Sequence, residues 1–400
     1  MTKPYDVIVV GVGILGLAHA WHAARMGYKV LMLDTTASAQ GASVRNFGFV
    51  TVTGQRPGED LPMAVRSAAI WKEVSEVVGI SIEQTGAWFV AQSAASEAVL
   101  KAYLRESSMT GCCLLAPEDW QQQPVGPFLG EIQAILHSPH ELRINPREGI
   151  PKLLQWLCEH AGVHFEPSAH VQTLGEGWVQ TPETCYQADH VFLCLGDRLQ
   201  ALLPEVWRAF ELRRCMLQML RLEPIGVRLD HPMLTDLSLI RYPGFATLQE
   251  TQALRVELTE TYPRHLEEGV HLIVVQDADG SLVVGDSHAY GDDVVPFRRE
   301  EVDQLILDAF QDLLPGCRPV VSERWLGTYV SSAGPSWFIE PVWPGVHAVQ
   351  VTSGAGMSLA FGLAEKNVHA CLGELGQTWE NTKNWGSTKN CGNWKTRMSL

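Results

Sequence analysis

Residues 5–34 read YDVIVVGVGILGLAHAWHAARMGYKVLMLD. Val7 to Val10 form a continuous β-branched run, the pattern of a strand buried on both faces of a parallel sheet. Gly11-Val12-Gly13-Ile14-Leu15-Gly16 follows directly, and Leu15, Ala18, Ala23 and Met26 then recur at helical spacing until Gly27. Lys29 to Leu33 make a second apolar strand, closed by Asp34. Gly11 permits the tight turn, Gly13 lets a pyrophosphate approach the backbone, and Gly16 lets helix and strand pack closely. The helix start offers unpaired N–H groups and partial positive charge to the phosphates, with Ile14 among its first donors. Asp34 stands where a carboxylate can accept the ribose hydroxyls of an adenosine. A glycine triplet alone could be a fortuitous turn; strand, glycines, helix, strand and acid in register predict a dinucleotide site.

The remainder of the 400 residues sets the frame. Hydrophobic residues are 46% and charged residues 19%, a globular composition long enough for two domains. Lys plus Arg is 30 against Asp plus Glu at 45, a net charge of −15 that argues against a nucleic-acid binder or an anionic-membrane binder. Nine scattered cysteines without a CxxC pair favour a reducing, cytoplasmic setting. The first twenty residues could pass for a signal peptide, but Pro4, Asp6 and the spaced glycines favour the nucleotide reading. No run reaches the ~20 apolar residues of a spanning helix, so the chain is expected to be soluble and cytoplasmic.

FAD and NAD share the opening fingerprint, so later segments must separate them. Gly41-Ala42-Ser43-Val44-Arg45-Asn46-Phe47-Gly48 is a polar, glycine-containing loop that could hold a flavin or lie on the surface. His190 to Gly196 is another apolar strand ending in Leu195-Gly196. Val346 to Val351 is followed by Thr352-Ser353-Gly354-Ala355-Gly356-Met357 and a helical run to Leu372, a second strand–turn–helix unit that could face the cofactor.

In this order, GVGILG with Asp34, GASVRNFG, LCLG (193–196) and TSGAGMS (352–358) resemble the FAD-dependent amine oxidoreductases of the D-amino-acid oxidase, glycine oxidase and sarcosine oxidase superfamily. SVRNFGFVTVTGQ, INPREG and VVGDSHAYG are also similar to a bacterial subgroup linked with aminophosphonate breakdown. The resemblance implies a discontinuous α/β FAD-binding Rossmann-like domain (1–85, 145–212 and 322–375) and an α+β substrate domain with a large, mostly antiparallel sheet (86–144 and 213–321). Short runs at Met216–Leu222, Leu254–Leu258, His271–Gln276 and Leu282–Gly285 are expected strands of that sheet, and 297–315 a helix. Residues 376–400 are expected to be a disordered or appended tail, with a nucleic-acid arm as the alternative. The resemblance also extends the expected FAD contacts to Val171 and Gly327.

The chemistry it implies is oxidation of a small anionic amine: hydride passes to flavin N5, and the imine product hydrolyses to a carbonyl compound. No obligatory acid–base side chain is required, only an anion clamp and a shape that aims one C–H bond. Arg241-Tyr242, heading a strand-like segment, are clamp candidates, since Arg grips a carboxylate or phosphonate bidentately. His288 is read as a cation whose tautomer Asp286 holds. Thr53, Gln55 and Tyr329 are expected near the ring. No lysine occurs between Lys152 and Lys366, so oxygen activation would fall to His288 or Arg241, or another acceptor serves. WLGTYVSSAG (325–334) lacks the cysteine that tethers flavin in some relatives, so FAD is expected to be non-covalent. Rival readings are a non-catalytic FAD-binding subunit of an amine dehydrogenase complex and an NAD-dependent dehydrogenase. No metal is expected: Cys158, His160 and His164 have Gly162 breaking the helix between the histidines, and Cys112-Cys113 cannot chelate at that spacing.

Overall fold

The computed structural model describes residues 4–293 and 295–373; the expected tail lies outside them. The opening strand Val7–Val10 sits in the middle of a six-stranded sheet, flanked in parallel by Val30–Leu33 and His190–Leu193. Val346–Val351 continues the sheet in parallel beyond His190–Leu193, and Trp337–Trp343 closes that edge antiparallel. His164–Glu166 forms the other edge. The two central strands Val7–Val10 and Val30–Leu33 are wholly buried, which is why they read as unbroken apolar runs.

Helices Ile14–Arg25, Asp60–Val78 and Gly356–Leu372 bring Leu17, Trp71 and Phe361 into one core on one face. Trp71 packs edge-on to Phe361 at 4.9 Å and donates to the Met357 carbonyl at 2.8 Å. A helix from near the chain's end is thereby fixed against elements from its first quarter. The opposite face packs Ile8, Leu31 and Leu193 with Leu199, Trp207 and a small three-stranded sheet spanning 173–187.

A ten-stranded, mostly antiparallel sheet stands beside this layer. Its spine is Arg213–Leu222, paired along nearly its whole length with Val321–Ser331 and also with Leu282–Gly285 and Ala289–Gly291. The architecture is that expected: a Rossmann-like sheet beside a large sheet of predominantly antiparallel strands. A division of the chain at 321/322 would cut through the Val321–Ser331 strand, which belongs to the large sheet.

Two local expectations are corrected. Leu254–Leu258 is not a strand but the middle of the helix Thr251–Thr261, with Leu254 and Leu258 buried one turn apart. Arg241 and Tyr242 do not head a strand; they join the short helices Asp236–Leu239 and Pro243–Ala246. Pro243 at the first helical position accounts for the second helix, its fixed φ and missing N–H being suited to that place. The expected helix at 297–315 forms at Glu300–Leu313.

Candidate active site

One continuous cleft of about 790 Å³ runs from Asp34 past the helix starts at Gly13 and Gly356 to the face of the large sheet at Tyr329. Its volume lies in the upper part of the usual range for ligand sites.

At the Asp34 end, the glycines permit close backbone approaches. A Cβ on Gly11 would lie 2.3 Å from the Cys194 carbonyl oxygen, and one on Gly16 only 1.9 Å from that of Gly11. Gly11 also has φ +111°, a conformation that favours glycine. A Cβ on Gly13 would fill the gap to Ser43 Oγ at 2.9 Å, and the Ile14 N–H donates to that oxygen at 2.9 Å. Asp34 Oδ2 accepts the Val12 N–H at 2.9 Å, while Oδ1 accepts from Thr36 N at 3.2 Å and Arg198 Nη2 at 3.1 Å. Arg198, absent from the sequence reading, thus fixes the carboxylate on the cleft wall.

Ser43, Arg45, Asn46, Leu195, Gly196, Gly327, Gly354, Gly356 and Met357 all line the cleft. Asn46 shapes its loop, donating to Ala42 O at 2.7 Å and accepting from Gly48 N at 2.6 Å. Gly327 lets that loop approach the large sheet, since a Cβ there would lie 3.1 Å from the Arg45 carbonyl oxygen. Gly16, Gly48 and Val171 are not on the wall. The Cβ of any other residue at 48 would meet the Ile144 carbonyl oxygen at 1.7 Å, and Val171 packs in the core beneath the sheet.

At the other end, Arg241, Tyr242, His271, Asp286, His288, Tyr290 and Tyr329 converge. Gln55 belongs here too, donating to Thr51 Oγ1 at 2.7 Å, and Thr51 Oγ1 lies 2.9 Å from Ser358 Oγ. Thr53 does not. It is fully buried behind the wall, donating from its hydroxyl to Ser138 Oγ at 2.7 Å and from its N–H to Glu141 Oε1 at 2.6 Å.

The role expected of Asp286 also changes. His288 Nδ1 lies 3.0 Å from the Gly269 carbonyl but 3.9 Å from Asp286 Oδ1, so the carbonyl, not the carboxylate, sets the tautomer. Asp286 Oδ1 instead approaches His271 Nε2 at 2.8 Å, a contact outside hydrogen-bond alignment. His271 Nδ1 lies 3.0 Å from Ser238 Oγ.

Burial drives His288 down to about 3, with Arg241 and His271 adding to the shift and Asp286 opposing it. His288 is therefore neutral at ordinary pH, and its expected cationic role is corrected. Burial acts upward on Asp286, but its interactions with the neighbouring His288, His271 and Arg241 outweigh it and hold the carboxyl below its usual range. Burial raises both Tyr242 and Tyr329, which stay protonated.

His271, Asp286 and His288 are the only described residues whose His, Cys, Asp or Glu donors cluster closely enough to share an ion, all within 4.8 Å. The Arg241 guanidinium acts on this same group and disfavours a cation. The cysteine–histidine spacing of 158–164 forms no such cluster among the described residues: Gly162 has φ +67° past the helix end, and His164 pairs with Glu166 at 3.1 Å.

The groove thus offers two helix starts, a bare-backbone turn and a fixed acid, followed by an open glycine-lined wall leading to polar side chains. That donor set fits a dinucleotide. The model of the family described as FAD dependent oxidoreductase matches residues 6–368. The chain belongs to this family. FAD is accordingly its cofactor, and Gly13, Ile14, Ser43 and Asp34 line the cleft at the end built by the opening strand–helix–strand unit.

Among curated proteins, this FAD-dependent oxidoreductase is similar to the N-methyl-L-tryptophan oxidase of Salmonella newport (strain SL254), 24% identical over 219 residues. That match covers 50% of the chain and 56% of the relative, so the chain spans little more than half the length of the curated relatives it matches. Among solved structures, the fold is shared with glycine oxidase from Bacillus cereus at a TM-score of 0.74 and 16% identity, covering 92% of this chain and 97% of that one. L-proline dehydrogenase from P. horikoshii gives 0.73 at 16%, covering 92% and 93%. L-α-glycerophosphate oxidase from Mycoplasma pneumoniae, solved with FAD bound, gives 0.73 at 15%, covering 96% and 98%. No helix among the described residues is long and apolar enough to cross a membrane.

Proposed function

We propose that this FAD-dependent oxidoreductase oxidises a small anionic amine: an aminophosphonate, an N-methylated amine or an amino acid. FAD, when bound, supplies the two-electron acceptor for the α C–H hydride, and the resulting imine hydrolyses to a carbonyl product. The chain's own residues bind, orient and shield the substrate.

The reading rests chiefly on Arg241. Its guanidinium lines the cleft, donating to the Tyr290 hydroxyl at 3.2 Å and weakly to the Gly269 carbonyl at 3.4 Å. No carboxylate among the described residues lies within the 4.0 Å of an ion pair with it. A guanidinium has five N–H donors in a planar fork, so donors remain for a carboxylate or phosphonate. Arg213, outside the cleft lining, stacks on the Tyr290 ring at 4.3 Å. Tyr242, Tyr329 and the Gln55–Thr51–Ser358 chain supply the remaining polar wall. The proposed FAD is non-covalent.

Anaerobic bleaching of the purified protein tests the reading. Glycine, N-methylglycine and 2-aminoethylphosphonate provide anionic amines, and ethylamine provides the uncharged-tail control. Bleaching by at least one anionic amine, with ethylamine inert at the same concentration, is the expected result. Bleaching by ethylamine alone, or by none of the four, overturns it.

A further inference from the structure

An amine must be neutral before its α C–H can leave with its electron pair, yet at neutral pH a free alkylamine is an ammonium ion. A buried ammonium beside a buried carboxylate is costly, and moving one proton neutralises the charge on both sides. The inner end of the cleft has the parts for that transfer. With Nδ1–H committed to the Gly269 carbonyl at 3.0 Å, neutral His288 keeps its lone pair on Nε2. Asp286, only 5% exposed, has Oδ1 buried without an aligned hydrogen bond, 3.9 Å from His288 Nδ1.

We propose that His288 Nε2 accepts the proton of a substrate ammonium whose anionic end rests on Arg241, with Asp286 as the charge partner of the imidazolium. This rests on the anionic-amine reading above. In the step, one ammonium N–H bond breaks, its electron pair stays on the substrate nitrogen, and an Nε2–H bond forms. Nothing is oxidised or reduced.

The groups around His288 make the transfer depend on binding. Asp286 and Tyr290 face it from its own segment, His271 lies at 5.0 Å ring to ring, and Tyr329 stands edge-on at 6.3 Å with the Cys215 thiol beside it. Arg241 opposes its protonation, as do burial and His271, while Asp286 favours it. Burial raises Tyr329 well above its ordinary range, so its hydroxyl is a neutral partner. An anion seated on Arg241 cancels one opposing charge and leaves Asp286 unmatched, so His288 gains proton affinity when the anionic end of the substrate arrives. The ammonium, entering the same buried space, loses proton affinity by desolvation. His288 contacts the reacting amine in this scheme; Asp286 and Arg241 act through it and are positioning residues.

Two measurements on the FAD-loaded protein test this. In the first, anaerobic bleaching by the amine that reduces the wild type is followed against pH in His288→Gln and Asp286→Asn. His288→Gln should slow bleaching about 100-fold at neutral pH. The deficit should shrink to within severalfold as pH approaches the ammonium's own pKa, where free amine is supplied by the solvent. Asp286→Asn should move the rising limb of the profile to higher pH. A His288→Gln deficit below threefold, or one equal at all pH values, overturns the proposal. Failure of every amine to bleach the wild type removes the amine reading and this proposal with it.

In the second, acetate is titrated against the oxidised flavin spectrum between about pH 5.5 and 8, where acetate itself does not change charge. Acetate on Arg241 raises the proton affinity of His288 into this pH range, so by linkage its own binding tightens as pH falls. That slope should vanish in His288→Gln. Acetate that leaves the spectrum unperturbed, or binds the wild type equally across the range, overturns the coupling.

Discussion

Asn367 Nδ2 lies 3.1 Å from His19 Nε2, joining the last described helix to the first. Asn367 Oδ1 takes the Cys371 thiol at 3.4 Å, which orients the amide, and His19 Nδ1 meets the Leu15 carbonyl at 2.7 Å. The imidazole therefore donates from Nδ1 and accepts at Nε2. Protonation at Nε2 would set an N–H against the amide NH₂.

This arrangement has a pH signature. Burial brings His19 down to about 4, the Leu15 carbonyl partly opposing it. The unfolded chain, with an ordinary histidine near 6.5, then binds more protons than the native state between those values, so stability rises with pH there. The contribution is complete above about pH 6.5 and is lost as pH falls toward about 4, by up to roughly 3 kcal/mol. Denaturant unfolding at several pH values should show the slope. In His19→Gln it should be shallower, whatever that variant's absolute stability; an unchanged slope sinks the assignment.

Gly16 and Gly41 separate packing from conformational freedom. The Gly16 Cβ would overlap the Gly11 carbonyl oxygen at 1.9 Å, so Gly16→Ala must push the first helix off the central strand. A cost of about 1–3 kcal/mol is expected, together with flavin loss on gel filtration. Gly41 has φ −87° and nothing within 4 Å of its Cβ position. Gly41→Ala should stay within about 0.5 kcal/mol of the wild type and retain its flavin. Equal behaviour of the two variants would contradict this account of the turn.

The contrast also explains what the sequence could convey. The nucleotide end was legible because its parts are adjacent in the chain: Gly11, Gly13, Gly16 and Asp34 lie on one strand–helix–strand unit whose periodicity is unambiguous. Leu254–Leu258 was not, since LRVEL satisfies alternation and an i, i+4 helical pair equally, and the helix was decided by packing in the core. The inner cleft was the least legible. His271 carries no local signal, and its place beside Asp286 comes from strand pairing, with Ile273 opposite Gly285 and the His271 N–H on the Asp286 carbonyl at 3.0 Å. Asp286 is a neighbour of His288 in sequence; only the pairing turns its Oδ1 toward His271.

Thr53 supplies a test of that distinction. Its hydroxyl lies behind the cleft on Ser138 Oγ at 2.7 Å, out of reach of a substrate. Thr53→Val removes that donor while nearly conserving shape, and should cost about 1–2 kcal/mol in denaturant unfolding. The rate and concentration dependence of anaerobic bleaching should stay within twofold of the wild type. A selective loss of substrate affinity at unchanged stability would restore Thr53 to the cleft.

Arg241 should control affinity more than the chemical step. Its fork meets the anionic end of the substrate, and those contacts are the same before and during loss of the α C–H hydride, so their removal weakens both states alike. A lost charge-assisted pair is worth about 1.5–3 kcal/mol, or roughly ten- to hundredfold in the half-saturating concentration. Arg241→Met should show that rise for the anionic amine, with the limiting bleaching rate falling less at a pH where the free amine predominates. Arg241→Lys should recover only part of the affinity, because an ammonium keeps the charge but not the planar fork or the bond to Tyr290 Oη at 3.2 Å. Stopped-flow bleaching against substrate concentration measures both constants. A variant in which the limiting rate collapses while half-saturation stays put would move Arg241 from binding the anion to aligning the reacting carbon.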